Sequence, residues 1–381
     1  MGVAELTRNA VDVLPEGGLE RKLAAARPLR VKFGIDVTSP DVHVGHAIPL
    51  QRMRAFQDEG HLGVLIVGDY TTRIGDPSGR SAERPILSPE EIDRNAQTYL
   101  AQAGKVIDLD RTEVRYNGEW LGKLDFAEVL RIARTHTVAQ LLERDDFAKR
   151  FAANAPISVS ELLYPLMQGY DSVAVRADVE LGGTDQLYNL LAGRTLQEAY
   201  GQEPQVALTT PLILGFDGTK MSASKNNYIG LAEPPEEQFG KAMRISDELL
   251  PDYYRLVMQR DDTPTGDPME AKLELARFIV RRSHGEEAAR AAEDHFTRVV
   301  REGQAPEEVA EAPLPPGDPV HLPALMASVF GVSTSEARRL IAQGAVRMNG
   351  QVASELDVPR AALEGALLQA GKRRFARLTA L

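Results

Sequence analysis

The chain contains no cysteine. Disulfides, a thiolate nucleophile and a Cys-ligated zinc or iron–sulfur centre are therefore excluded. Histidine is sparse too, seven residues in all, and only His43 and His46 lie close together. Their spacing is not that of the H-E-x-x-H pattern, which sets two ligands on one helical face. Long apolar runs are also missing, since none approaches the roughly 18 residues that cross a bilayer. The start, "MGVAELTRNAVDVLPEGG", has neither the basic nor the apolar region of a signal peptide, and Leu6 stands where a myristoylation motif wants Ser or Thr. The expectation is a cytoplasmic protein with no membrane partner.

Positive charge is short overall, with a formal net charge of -11, but it is unevenly spread. Residues 320 to 381 hold eight Lys/Arg against four Asp/Glu, a local charge of +4, so the preceding 319 carry -15. A basic tail on an acidic body keeps nucleic acid in play for the tail alone. With 43% hydrophobic residues over 381 positions, the chain is globular and has room for two or three domains.

"RVKFGID" (30 to 36) and "GVLIVGDYT" (63 to 71) are β-branched runs on either side of a helical pattern, Ala47, Leu50, Met53 and Phe56, which puts Pro49 in the first turn and Gly60 at the stop. This is a βαβ unit. "DVELGG" (178 to 183), the helical stretch 184 to 201 and "QVALTTPLIL" (205 to 214) repeat the scheme, while about 88 to 156 reads as mostly helical. We expect an α/β fold in which a doubly wound parallel sheet with a helical insertion occupies 1–229. An all-α domain at 230–312, a proline-rich linker at 313–319 in "EAPLPPGDPVHLP", and a small α+β domain at 320–381 follow.

Six stretches could carry chemistry. "HVGH" (43 to 46) opens a helix after a strand, where N–H groups, the helix dipole and Gly45 suit an anion; a plain helix start with two histidines explains it equally. "IGDPSGR" (74 to 80) follows the second strand at the end where α/β sheets bind ligands, so Asp76 either holds an ammonium or hydroxyl or supports its own turn. In "SELLYPLMQGYDSV" (160 to 173), Tyr164, Gln168 and Asp171 share one face of an otherwise apolar helix, and a polar stripe there needs water or a pocket. "LGGTDQ" (181 to 186) offers a close backbone approach at its glycines, and Asp185 either caps the helix or binds a ribose hydroxyl. "DGTKMSASKNNYIG" (217 to 230) crowds Lys220, Ser222, Ser224 and Lys225 into a loop that is either a phosphate grip or simply solvated. Finally, 333 to 357 reads as a Ser-capped helix, a Gly344 stop, and two strands around an Asn349-Gly350 hairpin turn. Arg338, Arg339 and Arg347 project from it and Lys372, Arg373 and Arg374 follow, a basic face suited to structured RNA.

Taken together, "HVGH" and, 177 positions later, "KMSAS" resemble the HIGH and KMSKS signatures of class I aminoacyl-tRNA synthetases. "YPLMQGYDSV" with "ELGGTDQ" is similar to bacterial tyrosyl-tRNA synthetases, and the tail resembles the RNA-binding domain of the ribosomal protein S-four type. The resemblance covers nearly the whole length. It implies that His43 and His46 hold the ATP phosphates, with Thr38 nearby and Lys220 closing over pyrophosphate. Asp36, Gly45, Gly183 and Asp185 line the nucleotide, with Ser222, Lys225, Arg80 and Arg84 at its phosphates. Asp76, Tyr164 and Gln168 take the tyrosine ammonium, Asp171 its phenol hydroxyl, and Gln186 the carboxylate side.

Two departures stand out. Ala223 replaces the second lysine of the signature, which throws weight on Lys220 or Lys225, and Lys32 stands where some members place a second phenol-binding tyrosine. The implied activity is ATP-dependent formation of tyrosyl-adenylate with release of pyrophosphate, then transfer to the terminal ribose of tRNA(Tyr). Mg²⁺ would travel with ATP and need no dedicated protein site. A homodimer through the helical insertion and the absence of an editing domain complete the expectation. The rival readings are a tryptophanyl enzyme, a nucleotidyltransferase that uses the histidine site without tRNA, and an RNA-binding regulator on an inactive core. Asp171 and the basic tail disfavour the first, the KMSAS loop, the extra helical domain and the tail the second, and the intact set of site residues the third.

Overall fold

The computed structural model describes residues 2–38, 41–76, 87–221, 225–262, 266–301, 309–371 and 374–380, with no account of the side chains of 300 and 301. The chain divides into two compact units, one ending at Ser283 and the other beginning at His284.

The first unit is built on a six-stranded sheet. Its strands are β1 (Asp12–Leu14), β2 (Arg30–Ile35), β3 (Leu62–Val67), β4 (Thr112–Tyr116), β5 (Val179–Gly183) and β6 (Val206–Thr210), in the order β1-β6-β5-β2-β3-β4. All pairings are parallel except that of β1, which lies antiparallel on β6. The central strands are covered on both faces, so β3 reads as an unbroken apolar run and β6 is buried along its whole length. From β2 the chain winds one way through β3 to β4, and the other half runs β5 to β6. The order therefore reverses between β2 and β5, and a crevice opens there at the carboxyl ends of the strands.

Two of these strands escape the sequence patterns. β4, "TEVRY", falls inside the stretch read as helical, because its five half-buried residues alternate with charge and carry no apolar run. β1 is three residues long and exists through its pairing with β6. The rest of 88–156 is helical, with helices at Pro89–Ala103, Gly118–Leu121, Phe126–Ala133, Val138–Leu142 and Asp145–Ala152.

The helix Val44–Asp58 starts directly at His43, whose backbone is extended and whose side chain makes no capping bond. Pro49 is its sixth residue rather than part of the first turn, so the proline lies in the helix interior and removes one rung of the ladder. The helix Val159–Val175 is started by a capping box between Ser158 and Glu161. It packs on Leu187–Ala199 through two glycines: a Cβ on Gly169 would lie 3.1 Å from the Gly193 Cα and 2.6 Å from Leu196 Cδ1. That close approach fixes the depth at which Tyr164, Gln168 and Asp171 are held.

In the second unit, Ser333 caps the helix Thr334–Ala342 by accepting from the Glu336 N–H. Asn349 and Gly350 both have positive φ, +47° and +83°, as a two-residue primed hairpin turn between Val346–Met348 and Gln351–Val352 requires. Strands Leu367–Ala370, Arg374–Thr379 and Glu311–Pro313 complete a five-stranded sheet. The proline-rich segment read as a linker enters this sheet, with Pro313 in register with Thr379 and Leu314 fully buried. Leu322, Met326, Ile341, Val346, Leu368 and Leu378 form the core. No helix among the described residues is long and apolar enough to cross a membrane.

Candidate active site

A cavity of about 300 Å³ occupies the crevice between β2 and β5. Its wall is made by the ends of β2 (Phe33, Gly34, Ile35, then Asp36 and Thr38), of β5 (Leu181 to Gly183) and of β6 (Thr210), with the two helices opposite. His43, Gly45, His46, Asp76, Tyr164, Gln168, Asp171, Asp185, Gln186 and Lys220 also line it. Residues from five of the six candidate stretches thus meet in one place.

At one end, Asp171 is buried. Its carboxylate accepts from Trp120 Nε1 at 2.8 Å and from Asn117 Nδ2 at 3.2 Å. Burial pushes this carboxyl up to about 7, against the pull of Lys32 and the two hydrogen bonds. Lys32 lies under the wall rather than in the cavity and pairs with Glu180 at 2.9 Å. Around the middle, Asp76 bonds Arg144 Nη2 at 2.9 Å and Gln186 Nε2 at 2.6 Å. Asn189 Nδ2 donates to both Gln168 Oε1 (3.0 Å) and Gln186 Oε1 (2.9 Å), tying the two amides together. Tyr164 donates its hydroxyl to Asp36 Oδ2 at 3.0 Å, and Thr71 holds the other oxygen at 2.7 Å.

At the other end, the rings of His43 and His46 stack with centroids 3.7 Å apart and planes within 17°. Among the described residues neither Nδ1, both buried, has a hydrogen-bond partner. Burial drives both imidazoles down, His46 to about 4, so the pair is neutral near pH 7 and offers hydrogen bonds rather than charge. Gly45 is dictated by this stack: a Cβ there would lie 3.0 Å from His43 Nδ1. The sequence suggested instead that the glycine admits a ligand. Gly183 is similar, since a Cβ would come within 2.8 Å of Asp185 Oδ1 and Leu212 Cδ2.

The two signature stretches, far apart in sequence, are joined by backbone. Val44 N–H donates to Ile229 O at 3.0 Å, Leu231 N–H to Val42 O at 2.7 Å, and the Tyr228 hydroxyl to Asp41 at 2.8 Å. Lys220 sits on a hairpin bridged at Leu214 and pairs with Asp185 at 3.2 Å, half exposed. Lys225 is not brought to the cavity; its Nζ lies 3.5 Å from Thr219 Oγ1. Arg80, Arg84 and Ser222 lie outside the described residues.

Sequence reasoning missed Thr71, Asn117, Trp120, Arg144 and Asn189. The first three are tied to the unread strand β4, because Asn117 and Trp120 sit in the turn at its carboxyl end, "YNGEW", and Asn117 also bonds Thr71 at 3.0 Å. Had β4 been recognised, that turn would have been searched.

In the second unit, Arg338 and Arg339 are exposed on the helix Thr334–Ala342 and Arg347 is exposed on its strand. Arg374 is also exposed, 3.8 Å from Glu336. Lys372 and Arg373 lie outside the described residues.

The family model described as tRNA synthetases class I (W and Y) matches residues 24–301, and the S4 domain matches 322–357. The tyrosine–tRNA ligase of Moorella thermoacetica is 50% identical, covering 98% of this chain and 94% of its own. That of Geobacter sulfurreducens is 49% identical, over 99% and 98%. Among solved structures, a tyrosyl-tRNA synthetase from Archaeoglobus fulgidus complexed with L-tyrosine shares the fold at a TM-score of 0.63 and 24% identity, over 76% of this chain and 98% of that one.

Proposed function

The chain belongs to the class I tRNA synthetases of the tryptophan and tyrosine group, and from that premise we infer that the cavity described above is where tyrosine meets ATP. The activity is that of a tyrosine–tRNA ligase. L-tyrosine is activated with ATP to tyrosyl-adenylate, pyrophosphate leaves, and the tyrosyl group passes to the terminal ribose of tRNA(Tyr). The observation that carries the assignment of roles is the buried Asp171, held by Asn117 and Trp120 at the closed end of the same cavity that holds the stacked histidines.

The tyrosine phenol donates to Asp171. Phenylalanine would leave empty the acceptor position of this buried carboxylate that the phenol fills, with only Trp120 and Asn117 among the described residues bonded to it, and tyrosyl-tRNA synthetases are themselves the standard illustration of that selectivity. The ammonium is received by Asp76, Tyr164 and Gln168, with Gln186 at the carboxylate side. Asp36, Gly183 and Asp185 flank the adenosine.

The tyrosine carboxylate then attacks the α-phosphorus, and the bond to pyrophosphate breaks. His43 and His46, neutral and with no partner at Nδ1 among the described residues, donate hydrogen bonds to the phosphates as charge develops, with Thr38 beside them and Lys220 meeting the departing pyrophosphate. Ser222, Lys225, Arg80 and Arg84 are assigned to the same phosphate path. No covalent nucleophile is required, so positioning does the catalysis. Among the described residues no group of three or more His, Asp or Glu could hold a metal ion. We assign magnesium to the triphosphate, on which it would enter and neutralise part of the charge.

The second unit is assigned to tRNA, through Arg338, Arg339, Arg347, Lys372, Arg373 and Arg374, with the helices of 230–312 directed at the anticodon. A homodimer through the insertion is supported by Phe126, Val138 and Phe151, each more than 60% exposed within it, and by the equally exposed Val159 just beyond its end. We assign the protein to the cytoplasm. ATP–pyrophosphate exchange with each amino acid tests the reading: exchange is expected with tyrosine and not with tryptophan or phenylalanine, and exchange with tryptophan alone would overturn it.

A further inference from the structure

Beneath the cavity wall lies a polar cluster that none of these roles uses. Lys32 on β2 and Glu180 on β5 are register partners, both fully buried and both outside the cavity lining. The Lys32 ammonium donates to Glu180 Oε1 (2.9 Å), Ser172 Oγ (2.8 Å) and the Gln168 carbonyl (2.9 Å). All three of its protons are engaged, so Lys32 is no substitute for a phenol-binding tyrosine. Glu180 in turn accepts from Gln168 Nε2 at 3.2 Å, Ser172 Oγ at 3.0 Å and Gln205 Nε2.

These bonds grip the helix Val159–Val175 on both sides of Asp171, at Gln168 and at Ser172. A buried ion pair adds little net stability over apolar residues of the same volume. Stability alone therefore gives no reason for charges here. The site above them does.

We propose that Lys32 and Glu180 are a positioning pair for tyrosine selection: they hold Gln168 against the cavity and set the electric field under Asp171, so that its carboxylate accepts a hydrogen bond from the phenol. This rests on the tyrosine-binding role given to Asp171 above.

The charged and titratable neighbours of Asp171 can be named element by element. β2 contributes Lys32 and Asp36, and β5 contributes Glu180. The turn after β4 contributes neutral Asn117 and Trp120, with Arg115 over the indole at 5.3 Å and itself paired to Glu113 and Glu119. The helix of Asp171 adds Tyr164 and Tyr170. Of these charges, Lys32 lowers the Asp171 carboxyl and Glu180 raises it.

The two single substitutions therefore act in opposite directions, which a merely structural role does not produce. Lys32→Met removes the helpful charge and leaves Glu180 unopposed, so Asp171 holds its proton to higher pH. Glu180→Gln leaves Lys32 unopposed, so Asp171 releases it at lower pH. The double substitution restores local neutrality.

Trp120 is the only tryptophan in the chain and donates directly to Asp171, so its emission reports the carboxylate without any substrate. The experiment titrates Trp120 emission of the full-length protein against pH, and measures KM for tyrosine and kcat in pyrophosphate exchange on the same proteins. Expected is a midpoint moved up by about one pH unit or more in K32M, moved down in E180Q, and closer to wild type in the double variant. At pH 7 the tyrosine KM of K32M should rise about fivefold or more with kcat little changed.

Midpoints that stay put, or that move the same way in both single variants, would overturn the proposal, as would a fall in kcat alone. If K32M does not fold, the E180Q midpoint decides: a downward move supports the pair and no move overturns it. Wild-type exchange that ignores tyrosine would sink the functional reading instead, and the substrate-free Trp120 titration would still judge the electrostatic role.

Discussion

The two ends of the cavity are built on different principles. At the Asp171 end, the acceptor is buried, supplied with fixed donors by Trp120 and Asn117, and backed by the Lys32–Glu180 pair. Around it, Gln168, Asn189, Gln186, Asp76 and Arg144 form a continuous chain of hydrogen bonds. At the histidine end, Nδ1 of neither ring has a partner among the described residues, and Lys220 pairs loosely with Asp185 on a half-exposed hairpin. The selective end is already in its working geometry, whereas the reactive end keeps donors free for a charge that appears only during the reaction. A rigid site discriminates between substrates, and uncommitted donors stabilise a transition state.

That contrast can be broken from either side. The largest effect is expected from Asp171→Ala, which removes the acceptor of the phenol and strands two buried donors. The tyrosine KM should rise on the order of 100- to 1,000-fold in pyrophosphate exchange, with the loss much smaller in kcat. Next comes His46→Ala, for which the rate of adenylate formation in single turnovers should fall about 100-fold while tyrosine affinity holds. A smaller effect is expected of Gly45→Ala, because the new methyl group meets the His43 ring at 3.0 Å and pushes it by a few tenths of an ångström. Adenylate formation should slow about three- to tenfold.

The pH dependence sharpens the comparison most gently. His46, held at about 4, and His43, lower than usual, stay neutral throughout the range of pH 6 to 8. The kcat of adenylate formation should therefore change less than about twofold there. Asp171 titrates near 7, so the tyrosine KM should fall as pH rises through that value and the carboxylate loses its proton. A kcat that drops steadily with rising pH would mean that an imidazolium does the work.

How much of this was legible in the sequence follows from range. "HVGH", "YPLMQGYD" and "LGGTDQ" announce themselves because their residues act within one turn or one helix face, where the period is readable. The doubly wound sheet was legible for the same reason, as β2, β3, β5 and β6 are short, mostly buried runs rich in β-branched and apolar residues. β4 was not, since a polar edge strand is defined by its partner β3 and carries little pattern of its own. With it went Asn117 and Trp120. Arg144 and Asn189 were hidden for a related reason: they reach Asp76 and Gln168 across long stretches of chain, and nothing local distinguishes them from surface residues. The meaning of Lys32 depended on its register with Glu180, a pairing across β2 and β5.

The division of labour between the two ends is tested most directly by a double-mutant cycle in ATP–pyrophosphate exchange, comparing Asp171→Ala, His46→Ala and the combination. If one end selects and the other reacts, the losses in kcat/KM multiply, with coupling within about 0.5 kcal/mol as expected of independent sites. A double variant no worse than the poorer single one would show that the two ends work as one unit, and would contradict the account.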